Sequence, residues 1–330
     1  MTLYALDDVE EAFEATKDFL WPFDLGLWTK LAVVVFFLGS AGGTNPFQFT
    51  GSFGSNTGSA VEDESFDGFG TISPEEWAII GAIVAVIVLL GLLFALVGSV
   101  MEFVFVESLR REEVTIRRYW SDRWRQGVRL FGFRVGLGLL TLLVFGLVLG
   151  GALFPLLFGS GELSVALVLL AIPFVLATFL ISGLVYLFTT MFVVPVMIAE
   201  DRTVIAAWRR CWPTFTGQWK QYIAYAVTLF ALQIAVGIVS GIAMFAGVVV
   251  VGIPLLIVGI IGFALLSVSG ILGGLVIALA ILGFVLAIIL VALYVSVPIQ
   301  TFLRYHALLV LGDTNRDFDL IPARRRALRE

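Results

Sequence analysis

Two ionisable residues stand inside runs that are otherwise apolar. Glu102 lies in Val100-Met-Glu102-Phe-Val-Phe, and Arg134 in Leu130-Phe-Gly-Phe-Arg134-Val. Glu102 is five positions from Glu107, and Arg134 five from Arg129, so each lies equally far beyond a charged loop. On neighbouring antiparallel helices such depths would let the carboxylate and the guanidinium pair. A charge at membrane depth marks either a site or a partner. Two roles stay open for this pair: a salt bridge that packs helices, or the wall of a polar cavity facing the cytoplasm.

Other chemistry is scarce. His306 is the one histidine and Cys211 the one cysteine, so an internal disulfide, a zinc site and a histidine-based dyad lack their parts. There is no phosphate-binding glycine loop, no His-Glu-x-x-His, no Gly-x-Ser-x-Gly and no Cys-x-x-Cys. An intramembrane enzyme would lack a nucleophile or metal set, so no catalytic residue, cofactor or metal is assigned. The arginine-rich loops are too short, and too close to apolar runs, to form a nucleic-acid groove.

The elements that must position Glu102 and Arg134 belong to a membrane protein. Hydrophobic residues make up 60% of the 330-residue chain and charged ones 14%, well under the roughly 25% of soluble domains. The mean hydropathy is +1.04. Between Lys220 and Arg304 there is no Asp, Glu, Lys, Arg or His. A helix crosses a bilayer in about 20 apolar residues, so that stretch alone can cross at least twice.

The expected fold is all-α: a polytopic transmembrane bundle of about six spans in a single domain covering 1–330. The spans are placed at 25–43, 77–106, 130–158, 163–199, 222–251 and 271–303. The fourth is long enough to bend at Pro173 or Pro195, and 252–274 reads as a re-entrant piece. Eight spans, by dividing 222–303 into four crossings, is the rival; the lack of polar turns there favours six. Residues 4–20 read as an amphipathic helix with Leu6, Val9, Phe13 and Leu20 on its apolar stripe. The opening is acidic and does not read as a cleaved signal. Segment 39–76 is an acidic loop rich in Gly, Ser and Phe. It closes at Ser73-Pro74-Glu75-Glu76, a helix start in which serine caps the helix and glutamate reaches back.

Basic residues cluster in 108–129, 201–220 and the tail 312–330, which places these segments and both termini in the cytoplasm and 39–76 outside. The localisation expected is the cell's plasma membrane. Lysine occurs only at positions 17, 30 and 220, and the pI is about 5.1. That balance suits a salt-saturated cytoplasm; a GC-rich genome that favours arginine codons is the alternative.

The chain also looks repetitive. Trp120 and Trp124 precede one span; Trp208, Arg209, Arg210, Trp212 and Trp219 precede another; both tryptophan pairs are four apart. With helix 4–20 as a first copy, the architecture reads as three hairpins, each preceded by a cytoplasmic interfacial helix. The ordinary role of such tryptophans is a belt at headgroup level. Pairs such as Gly132/Gly136, Gly146/Gly150, Gly237/Gly241 and Gly270/Gly274 permit close helix contact, chiefly within the bundle.

Pro195 through Glu200 and Asp201, then Ala206-Ala-Trp208-Arg-Arg-Cys-Trp212, then Gly217-Gln-Trp219, resembles the six-span membrane domain fused to some glycerophosphoryl diester phosphodiesterases. The whole chain, with Tyr4-Ala-Leu-Asp-Asp and Phe19-Leu-Trp-Pro-Phe, looks like a haloarchaeal polytopic membrane family of uncharacterised function. The phosphodiesterase barrel and its catalytic histidines are absent, so the resemblance implies topology and no reaction. Two functions remain. One is a membrane-organising protein whose partners are membrane lipids, a second copy or another membrane protein, and no nucleic acid. The alternative is a permease or lipid-handling protein with a cavity at Glu102 and Arg134.

Overall fold

Long runs of Leu, Ile, Val, Ala and Gly produce helices well beyond the length a bilayer requires. The computed structural model describes residues 4–42, 73–157 and 161–330. The acidic loop within 39–76 and the turn at Gly159 therefore fall mostly outside the described residues. Those described form helices, with no strand among them: α1 (Tyr4–Leu20), α2 (Leu25–Gly42), α3 (Pro74–Arg111), α4 (Ile116–Leu157), α5 (Gly161–Phe188), α6 (Val194–Glu200), α7 (Val204–Gly217), α8 (Trp219–Leu265), α9 (Gly270–Thr314) and α10 (Pro322–Arg329). Five of them are long and apolar enough to span a membrane, and α2 is a shorter apolar helix.

The start of α3 is the cap the sequence predicts. Glu76 N–H donates to Ser73 Oγ at 3.3 Å, and Ser73 N–H donates to Glu76 Oε2 at 2.7 Å. Three expectations change. First, 116–129 is not a separate interfacial helix: it runs without a break into the span, giving α4 its 42 residues, about 63 Å at 1.5 Å per residue. No proline interrupts it at the join, and Gly127 there is accommodated within the helix. Secondly, 252–274 is not re-entrant. α8 continues through Pro254 to Leu265, and α9 starts at once behind the Ser269 cap. The turn closes because Gly273 has no side chain: a Cβ there would meet Leu266 N at 2.5 Å. Thirdly, α1 packs through Asp8, Ala12, Ala15, Thr16 and Leu20, while Leu6 and Phe13 face outward. Small residues let α1 lie close against α9, and that need outweighs the bulk of the apolar stripe.

Of the two prolines expected to bend the fourth span, Pro173 stays inside α5, and the irregularity falls just before Pro195. Between α5 and α6 a π-helical turn, Thr189–Val193, lets Val194 N–H reach back to Thr189 O. Proline has no N–H and crowds the carbonyl four residues earlier, so the ladder widens there.

Packing is uneven along the helices. A buried core gathers Phe103, Leu109, Tyr119, Phe192, Met197, Tyr225, Leu303 and Tyr305 at one end of the molecule, the head. Beyond it the helices run on as arms, and the most apolar 18-residue stretch of α3 has no buried residue at all. The eight glycines of the four pairs above all face open space. Close approaches instead use Gly127, Gly247, Gly262 and Gly273.

Both chain ends lie on the head. Arg329 of α10 contacts Glu11 of α1 at 2.8 Å, and Arg324 contacts Asp18 at 3.1 Å and Glu112 at 3.6 Å. Arg210 of α7 reaches Asp317 in the tail at 3.3 Å. The termini and the three basic segments thus share one face. The six expected spans correspond to the five long apolar helices and the shorter α2.

Candidate functional site: a buried acid held by two arginines

Glu102 and Arg134 meet as their matched depths predict. Arg134 Nη2 lies 3.2 Å from Glu102 Oε1. A third residue completes the site: Arg304 of α9 donates to Glu102 Oε2. Three helices therefore converge on one carboxylate, whose side chain is 2% exposed. The π-helical turn supplies the remaining acceptors. Thr190 Oγ1 accepts from Arg134 at 2.9 Å, and the Thr190 carbonyl accepts from Arg304 at 2.5 Å. A π turn shifts the backbone register and so presents a carbonyl to a side chain. Arg134 also bonds Ser99 Oγ at 3.4 Å and stacks over the Tyr186 ring at 4.8 Å.

Both Glu102 oxygens are engaged by arginine, which presents fixed N–H donors suited to a carboxylate. Buried charges need such full engagement, because their desolvation is costly. The arrangement can lock three helices to one another. A polar cavity of about 460 Å3 on the head's surface is lined by Arg110, Arg111 and Arg324, and neither Glu102 nor Arg134 is among its lining residues.

A second buried acid follows on the same helix. Glu107 receives Arg111 at 2.6 Å and Arg123 of α4 at 3.2 Å. Gln126, next on α4, donates to Met197 O at 3.2 Å and to Asp201 Oδ1 at 2.5 Å. Gly127 beside it lets α4 lie close against α3: a Cβ there would fall 2.5 Å from Val100.

The tail forms a third set. Arg325 threads past Gly312 to the carbonyls of Leu308 and Leu309 and to Asp313 at 3.1 Å. Arg329 joins Asp8, Glu11 and Asp313. Burial, then the neighbouring Asp313 carboxylate, pushes the Asp8 carboxyl up to about 8.

The aromatic-basic residues divide. Trp120 and Trp208 pack against the core, and Trp208 Nε1 donates to Thr189 Oγ1 at 3.0 Å, so the π turn is held from α7 as well. Trp124, Trp212 and Trp219 face outward. Trp120 and Trp124 touch, with ring centroids 5.4 Å apart. Arg210 is drawn to Glu200 at 3.2 Å and to Asp317, whereas Arg209 points away. Cys211 is buried, and that burial pushes its thiol up to about 12, away from the lowered values of reactive cysteines. His306, expected at the interface, lies wholly buried between the rings of Tyr225 and Phe302. Among the described residues no group of three or more His, Cys, Asp or Glu is placed to hold a metal.

Arg304, Glu107, Thr190 and the tail arginines carry no local signal for these roles. Arg304 reads as the charge that closes a span, and its partner lies 202 positions away.

Fold and site together define an all-helical, multi-pass membrane protein whose helices are locked at one end by buried ion pairs. The chain belongs to a family of unknown function, DUF7544, which matches residues 3–321. No curated protein and no solved structure matches it.

Proposed function

We propose that this chain is a non-catalytic plasma-membrane protein that organises lipid and a second copy of itself, with its head and both termini in the cytoplasm. One observation carries the reading. In the head the buried acids Glu102 and Glu107 are met by arginines from the same chain, whereas the arms leave their most apolar stretches almost wholly uncovered. Nothing among the described residues covers those arms, and lipid with a second copy is the cover this reading assigns. Gln233 sharpens the point: it faces outward on α8, makes no hydrogen bond among the described residues, and lies on the helix face of Gly237 and Gly241, both open. An amide in hydrocarbon without a partner is costly, and a neighbouring helix can satisfy it.

The cytoplasmic orientation is supported by the arginine clusters gathered on the head. The acidic, lysine-poor composition supports a haloarchaeal setting. The spacing of the two tryptophan pairs supports a repeated origin, and the Pro195 to Trp219 pattern supports kinship with the phosphodiesterase-fused membrane domain.

Crosslinking in intact membranes, followed by native mass spectrometry after mild extraction, tests the reading. Expected are a reproducible homo-oligomer and retained lipid. Gln233→Leu combined with Gly237→Ile should reduce the oligomer several-fold without unfolding the head. A lipid-free monomer with no reproducible crosslink would overturn the reading.

A further inference from the structure

The outer face of α7 and the start of α8 hold basic residues that the ion-pair network leaves unused. Ile205, Arg209, Trp212 and Thr216 recur at helical spacing and all face outward. Arg210, one position along, turns back to Glu200 and Asp317. Neither Arg209 nor Lys220 has an acidic partner within 4.0 Å among the described residues; the Lys220 ammonium lies 5.9 Å from the Trp219 ring centroid.

Beside these two cations a groove of about 520 Å3 opens between α5, α7 and α8, walled chiefly by Phe188, Trp212, Phe215, Trp219, Ala226 and Phe230. Ligand sites commonly enclose roughly 300–1,000 Å3. The two hydroxyls on the wall are already committed. Thr216 donates to Trp212 O at 3.0 Å, and Tyr222 pairs with Thr314 at 3.0 Å. The groove therefore offers hydrocarbon contact and little else; neither cation lines it, but Arg209 lies one turn before its wall residue Trp212 and Lys220 directly follows its wall residue Trp219.

An apolar slot with two uncommitted cations at its rim is complementary to an amphiphile with an anionic head. Outward Trp212 and Trp219 place that rim at headgroup level. We propose that this is a binding site for one anionic membrane phospholipid, its phosphate between Arg209 and Lys220 and one chain laid along Phe188, Phe215 and Phe230. The site rests on the reading that the chain holds lipid, and names which lipid and where. Arginine and lysine both favour phosphate, and each basic residue adds to attraction for an anionic headgroup.

The test is native mass spectrometry of the full chain in mild detergent, titrated with dioleoyl phosphatidylglycerol or dioleoyl phosphatidylcholine. The wild type should retain one phosphatidylglycerol in preference to phosphatidylcholine. Arg209→Glu with Lys220→Glu, both on the surface, should weaken that retention about tenfold or more. Ala226→Phe, which fills the groove and leaves the cations in place, should also expel the lipid, with the far-ultraviolet dichroism unchanged. Retention of both lipids alike, or of phosphatidylglycerol undiminished in the charge-reversed variant, overturns the site while the broader lipid reading stands. A wild type that retains neither lipid overturns both.

Discussion

The head and the arms of this molecule solve the same problem, hiding polar backbone and side chains, by opposite means. In the head, carboxylates are buried beside arginines: Glu102 with Arg134 and Arg304, Glu107 with Arg111 and Arg123. In the arms there is almost nothing polar to hide. Between Lys220 and Arg304 the chain carries no charge, the backbone bonds are satisfied within each helix, and the side chains face outward. Solvent explains the contrast. Where water reaches the edge, helices must hold each other through specific pairs. Where hydrocarbon surrounds them, Leu against Leu gains little over Leu against lipid. Specificity is thus concentrated where the helices leave the membrane.

The contrast breaks most visibly at Glu102. Glu102→Leu leaves two arginines buried without their acid and should cost about 3–5 kcal/mol. Ile87→Ala or Leu147→Ala, both on exposed arm faces, should stay within about 0.5 kcal/mol in detergent. Thermal unfolding of the purified chain measures all three. Equal losses at head and arm would erase the distinction.

That asymmetry also explains what could be read from residues alone. The spans follow from unbroken apolar runs, the start of α3 from its capping box, and the Glu102–Arg134 pair from equal depth beyond two loops. Arg304 was hidden because it sits where any span would end. The tail arginines look like topological markers, yet Arg324, Arg325 and Arg329 each grip an acid more than a hundred positions away or just across a turn. Pairings over such separations leave no trace in local spacing. The packed face of α1 was misplaced for another reason: Ala12 and Ala15 mark it by being small, and hydrophobic periodicity gives more weight to Leu6 and Phe13.

A smaller effect is expected at Gly312. A Cβ there would overlap the Arg325 guanidinium, so Gly312→Ala should loosen α10 at a cost of roughly 1–3 kcal/mol. Limited proteolysis should then release the tail while the arms stay intact. Arg325→Ala with Gly312→Ala should be little worse than either single change.

A pH dependence of the tail latch is also expected. Asp8 faces Asp313, Glu11 and Arg329, and its carboxyl lies at about 8, against about 3.9 when unfolded. Between those values the folded state binds more proton than the unfolded one. Stability therefore falls as pH rises from about 4 and levels off above about 8. Asp8→Asn should flatten that slope, as read from the unfolding temperature across pH 5–9 on the order of one reading per pH unit.

The most direct measurement is residue-resolved photolabelling of the membrane-embedded protein by a diazirine carried on a lipid chain. Label should reach Ile87, Leu147, Leu176 and Phe245 on the arms and spare Phe103, Phe192 and Leu308 in the head. If labelling instead marks only one narrow strip of each arm, the arms pack on one another within the chain, and the division between a locked head and lipid-facing arms is wrong.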